Sequence, residues 1–179
     1  MLGLLRRNRH ERAGYTLYGA AVGAARAPWF YTVIGAPDTL DGRFDLVGIH
    51  VYLVVRRLTR EPPPGPALAQ AVFDAMFSDM DLNLREMGVS DLAVGKRVRA
   101  MWEAFHGRAA AYGAAMDAGD RPALAAAVAR NVWRLPADAQ APSGAAPLAD
   151  HIWDESEMLA TQDLSALMAG EVRFRGPPA

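Results

Sequence analysis

The stretch DMDLNLREMGVSDLAVGKRV, Asp79 to Val98, holds most of the residues in this chain whose types and spacing could do chemistry. Asp79 and Asp81 are two hard carboxylates two positions apart, a common fragment of magnesium and calcium sites. Gly88, Gly95 and Lys96 raise the question of a phosphate loop, and Arg85, Glu86, Lys96 and Arg97 that of a charged docking surface. Elsewhere His10, His50, His106 and His151 are the candidate ligands or acid–base groups.

Spacing decides among these chemistries. On a helix, residues two apart point about 200° from one another, so Asp79 and Asp81 diverge, and no EF-hand spacing follows them. Asp81 and Arg85, at i and i+4, read instead as a salt-bridged helix face. The glycines and Lys96 do not match G-x-x-x-x-G-K-[ST], and no strand pattern precedes them. Gly95, inside a helical pattern, is expected to permit close approach of another backbone. No histidine has a second one at ligand spacing, and none sits in H-E-x-x-H. His50, within an apolar segment, is expected to be a hydrogen-bonded core residue. The absence of cysteine removes disulfides, thiolate zinc sites and Cys nucleophiles together. No G-x-S-x-G elbow surrounds Ser78 or Ser90. An enzyme would need two or more of Asp79, His50, Glu103 and His106 to meet in one pocket, with or without a metal. A haem-handling protein would use His50 or His106 as an axial ligand. The spacing supports neither, and no metal and no cofactor is expected.

The elements that position these residues follow from periodicity. A chain of 179 residues, 51% apolar and 22% charged, suits one domain with a substantial core. Its net charge of -1 gives no overall pull toward DNA or acidic lipid. Tyr15, Tyr18, Val22 and Ala25 recur at helical spacing from Glu11 to Arg26, and Pro28 ends the pattern. The adjacent rings of Trp29, Phe30 and Tyr31 cannot share one helix face, so at least one is expected outside the core. Phe44 to Leu58 is apolar on nearly every side; its length favours a buried helix over a strand, and its charges keep it short of the roughly 18 apolar residues of a membrane span. From Ala67 to Met87, Leu68, Val72, Met76, Phe77, Met80, Leu84 and Met87 form a stripe that Gly88 can terminate. Ser90 or Asp91 can cap the next helix, with Val94, Val98, Met101, Trp102, Phe105, Tyr112 and Met116 inward. Asp120 and Pro122 start another, through Trp133. The expected fold is all-α, a single compact domain of about six or seven helices.

Four regions are expected: a basic arm, 1–12; a helical core, 13–134; a Pro/Ala/Gly linker, 135–147; and a C-terminal helix, about Leu148 to Met168, with a short tail, 148–179. The arm carries Arg6, Arg7, Arg9 and Arg12 after an apolar run, the reverse of the order in a secretory signal.

Three segments, PWFYTVIGAPDTLDGRFDLVGIHVYLVVRRL, QAVFDAMFSDMDLNLREMGVSDLAVGKRVRAMWEAFHGRAAAY and LAAAVARNVW, together resemble the ubiquinol-cytochrome c chaperone family over about Tyr15 to Trp133. The element Phe73 to Val89 is the specific part; Ser90 and His106 stand where the family tends to have Gly and Tyr. The resemblance implies a non-catalytic, all-helical assembly factor of the respiratory ubiquinol:cytochrome c reductase that binds newly made cytochrome b. The absence of cysteine suits a cytoplasmic protein, and the resemblance implies one peripheral at the inner face of the respiratory membrane. A small partner subunit, and membrane or ribosome contact through Arg6, Arg7, Arg9 and Arg12, belong to the same picture. A chaperone for a membrane bundle needs a wide apolar or Met-rich groove with a charged rim. Met76, Met80, Met87 and Met101 with Trp29, Phe30, Trp102 and Phe105 are the expected groove, and Arg43, Arg85, Lys96, Arg97 and Arg108 the rim. Tyr31, Asp38, Asp79, Asp81 and Glu86 complete the expected docking surface.

Overall fold

The structure, a computed structural model, describes residues 2–136 and 139–178, with side chains from residue 10 onward. Among the described residues it contains helices and no strand. Six are long: α1 (Leu2–Ala25), α3 (Leu40–Thr59), α4 (Gly65–Glu86), α5 (Asp91–Asp117), α6 (Arg121–Val132) and α7 (Ala145–Ala160); α2 (Trp29–Thr32) and α8 (Leu164–Met168) are short.

Helix α3 is the axis of the domain, packing against α1, α4, α5, α6 and α7. Its Leu46, Ile49, Val51, Leu53, Val54 and Leu58 are almost completely buried, which is why this segment shows no polar face in sequence. Thr39 caps it, its hydroxyl accepting from the Gly42 N–H at 3.1 Å. Helix α4 buries Leu68, Val72, Met76, Met80 and Leu84 of the expected stripe, while Phe77 is half-buried and Met87, at the helix end, is exposed; Gly88 follows at φ +80, the left-handed conformation that ends helices. Asp120 caps α6 by accepting from the Ala123 N–H at 2.8 Å.

Several boundaries and faces differ from the sequence expectation. Helix α1 begins at Leu2, so the basic arm is helical backbone continuous with it; the side chains of Arg6, Arg7 and Arg9 lie outside the described residues, and Arg12 is exposed. Its buried face is Ala13, Leu17, Tyr18, Ala21 and Ala25, while Tyr15 is exposed. Small residues win this face because α1 lies very close to α4: a Cβ on Gly14 would come within 2.7 Å of the Ala71 backbone. Gly95, expected at a close approach, faces open space. Helix α7 begins at Ala145, inside the expected linker, and the expected final helix breaks after Ala160 before α8. The aromatic trio divides as geometry requires, with Phe30 fully buried and Trp29 and Tyr31 half-buried.

Candidate partner-binding groove

Helix α5 packs more extensively on α4 and α6 than on α3, and a groove of about 560 Å³ opens among α3, α4 and α5. One wall is aromatic. Phe73 of α4 packs with Phe105 at 5.5 Å between centroids, and Trp102 lies over His106 at 4.0 Å. His106 is held there by its Nδ1, 2.9 Å from the Trp102 carbonyl oxygen. Trp102 remains 45% exposed, and that exposure makes it an available anchor for a bound segment.

The other end of the groove is charged. Arg56 near the end of α3 and Arg60 just after it, four positions apart, both reach Asp117 at the end of α5, Arg56 at 2.5 Å. Two guanidinium groups share one carboxylate, and the buried Nε of Arg56 has no hydrogen-bond partner. Tyr52 and Gly113 form the floor between them, where a Cβ on Gly113 would sit 3.4 Å from the Tyr52 hydroxyl. An apolar segment carrying an acidic group fits this arrangement, the first part against the rings and the second beside the arginines.

The residues expected to form one docking surface are distributed around the molecule. Trp102 and Phe105 line the groove, Phe105 from below since it is almost buried. Met76 and Met80 are core, Met101 is partly buried, and Met87 is exposed at the end of α4. Phe30 has no exposed surface. Asp79 accepts from the Tyr18 hydroxyl at 2.6 Å, tying α4 to α1, whereas Asp81 pairs with Arg85 at 2.5 Å and Arg85 reaches on to Asp91. The two carboxylates thus face different elements. Asp38 and Arg43 pair with each other at 2.6 Å on the surface. Glu86, Lys96 and Arg97 are exposed and have no ion-pair partner among the described residues. At about 100° per residue, Lys96 and Arg97 project roughly 120° and 140° from Trp102, away from the groove wall. Of the four groups of which an enzyme would have needed at least two in one pocket, His106 alone lines the groove; Glu103 pairs with Arg99, Asp79 with Tyr18, and His50 lies in the core.

Arg108 does not belong to a rim. It pairs with Asp45, a buried carboxylate that also accepts from Arg134 at 2.6 Å. Burial pushes the Asp45 carboxyl above the usual range, opposed by the charges of Arg108 and Arg134. The node joins α3, α5 and the chain beyond α6. Asp45→Ala is expected to destabilise the domain by about 3 kcal/mol, since it leaves the largely buried Arg108 guanidinium without its partner and releases Arg134 from α3. That corresponds to a Tm lower by about 6–12 °C in a domain of this size, with Asp45→Asn losing less; melts of equal Tm would remove the node from the account.

Sequence reading did not single out Phe73, Arg56, Arg60 or Asp117 for the groove, nor Asp45 and Arg134. The i, i+4 spacing of Arg56 and Arg60 was the available signal for a cationic patch. Asp117 is 57 and 61 positions from its partners, and no local pattern announces such a pairing.

These features define a class: an all-helical, single-domain protein with an open amphipathic groove beside its central helix. The chain belongs to the ubiquinol-cytochrome C chaperone family, whose profile matches residues 32–174. It is 26% identical over 147 residues to the ubiquinol-cytochrome-c reductase complex assembly factor 1 of Xenopus laevis, covering 82% of this chain and 72% of that one. It is similar also to the crystal structure of the Cbp3 homolog from Brucella abortus, with a TM-score of 0.83, 36% identity, and coverage of 97% of this chain and 95% of the other. No helix among the described residues is long and apolar enough to cross a membrane.

Proposed function

We propose that this protein is a non-catalytic chaperone that promotes assembly of the ubiquinol:cytochrome c reductase by holding newly made cytochrome b through the groove of α3, α4 and α5. The observation that carries the reading is the pairing of a half-exposed Trp102 on an aromatic wall with two arginines that share one carboxylate. Family membership and the names of the relatives support the ubiquinol:cytochrome c reductase as the complex whose assembly is promoted. Nascent cytochrome b exposes apolar helix surface, and a groove of this kind shields such a surface without enclosing it. Lys96 and Arg97, exposed on another face of α5, supply a second, charged contact, to the membrane-proximal complex or to a partner subunit. Work at the inner face of the respiratory membrane is a peripheral role, in which the exposed Arg12 is available to anionic lipid or the ribosome.

The test is recovery of cytochrome b with the tagged full-length protein, together with the amount of assembled reductase in cells. Trp102→Ala is expected to cut recovery by about 30-fold, as for a buried interface anchor, while changing stability by only about 1 kcal/mol. Lys96→Glu with Arg97→Glu is expected to leave the Tm nearly unchanged and to lower assembled reductase. Undiminished recovery with a stably folded Trp102→Ala protein would remove the groove as the binding site.

A further inference from the structure

Beyond α8 the chain turns at Gly170, φ +86, and runs back across α7 in an extended conformation. Its side chains alternate. Val172 and Phe174 pack on the core, and Glu171, Arg173 and Arg175 are exposed. The backbone of this segment is held by side chains. The Gln162 amide donates to the Arg173 carbonyl at 2.7 Å and accepts from the Arg173 N–H at 2.8 Å. The Glu155 carboxylate accepts from the N–H of Arg175 at 2.9 Å and from that of Gly176 at 2.7 Å. Between these two clamps Phe174 packs against His50, 5.5 Å between centroids, and His50 packs in turn against Phe30 and His151.

Glu155 has no exposed surface. A carboxylate so placed is stable only with donors supplied, and the described donors are the two N–H groups of the tail. All four polar bonds read backbone alone, with a pocket for one ring between them. A receptor holds an extended peptide in this manner, main-chain bonds giving affinity and an alternate side chain giving selectivity. The sequence of the segment enters at three points, Val172 and the Phe174 ring, both packed on the core, and Gly176, whose φ of +78 favours glycine. The Arg175 pair with Asp154, at 3.6 Å and solvent-exposed, adds little.

We propose that Glu155, Gln162 and the Phe30–His50–His151 pocket form a peptide-docking site, filled here by the chain's own tail and able to exchange it for an extended partner segment with an aromatic residue two positions before a glycine. The site shares no lining residue with the groove of α3, α4 and α5, and it stands independently of the function proposed for that groove.

Amide hydrogen exchange on the intact chain is the first measurement. The Arg173, Arg175 and Gly176 amides should exchange through local opening, at least about 100-fold faster than the central amides of α3. Second, a labelled peptide EVRFRGPPA should bind the full-length Phe174→Ala protein saturably. Wild type should bind it at least about tenfold more weakly, because the tethered tail competes at high effective concentration. Replacing the peptide's Phe by Ala, or adding Glu155→Gln and Gln162→Ala to the protein, should lower affinity by a similar factor. Tail amides that exchange only with global unfolding would overturn the proposal. So would a Phe174→Ala protein that fails to fold or leaves the peptide unbound, since the tail would then be a fixed part of the core.

Discussion

Phe30→Ala is expected to lower the stability of this protein by about 4 kcal/mol, the upper-middle range for deleting a fully buried aromatic side chain. For a domain of this length the Tm should fall by about 8–16 °C. The ring has no exposed surface and packs edge-on against His50 at 5.5 Å and His151 at 5.1 Å, joining α2 to α3 and α7. His50 cannot collapse into the vacated space without disturbing the hydrogen bond from its Nδ1 to the Leu46 carbonyl, 2.8 Å. The neighbouring Tyr31, half-buried, provides the comparison: Tyr31→Ala should cost about 1 kcal/mol. Thermal melts of the two variants test the assignment, and a Phe30→Ala loss near that of Tyr31→Ala would show that α2 does not anchor the core.

Acidification should have an effect of comparable size through His50 and His151. Burial pushes both imidazoles down, to about 4 each, from the ordinary value of 6.5. Both are neutral in the folded protein at pH 6, while the unfolded chain already takes up protons there, so stability must fall as pH drops from about 6.5 toward 4. Each contributes on the order of 3 kcal/mol by the time pH 4 is reached. His50 faces Phe30, His151 and Phe174, and offers no carboxylate to a proton. His151 has Glu155 at 3.9 Å, but that carboxylate is directed at the N–H groups of Arg175 and Gly176. Burial raises the carboxyls of Glu155 and Asp45, which act in the opposite sense and offset part of the loss at the acid end. Melts between pH 7.5 and 4 should show the decline, and His151→Met, which removes one titrating group whose Nε2 has no partner, should make it shallower. A Tm independent of pH across that window, or an equal decline in the variant, would contradict the buried neutral pair.

What the sequence by itself determined is what repeats every few residues. The stripe of α4, the uninterrupted apolar surface of α3, the Asp120 cap, the left-handed Gly88 and the Asp81–Arg85 pair all depend on neighbours within one or two turns. The divergence of Asp79 and Asp81 follows from helix geometry alone. The long element Phe73 to Val89 also carried the family, because a specific sequence of that length needs no three-dimensional context to be matched.

Only the tertiary structure decided where the helices touch. Periodicity says which side of a helix is apolar, whereas the docking angle and separation depend on the individual side chains that meet at each crossing. Gly95 was the glycine expected at a close approach, yet it faces open space, whereas Gly14 of α1 lies against the Ala71 backbone of α4. Asp79 looked like half of a metal site and became a partner of Tyr18, 61 positions away. Asp45 gathered Arg108 and Arg134 from 63 and 89 positions away, which turned an expected rim arginine into part of an internal node. The groove has the same origin: Trp102 and Phe105 were legible as aromatic residues on α5, but the space beside them exists because α5 leans on α4 and α6 and leaves α3 partly uncovered.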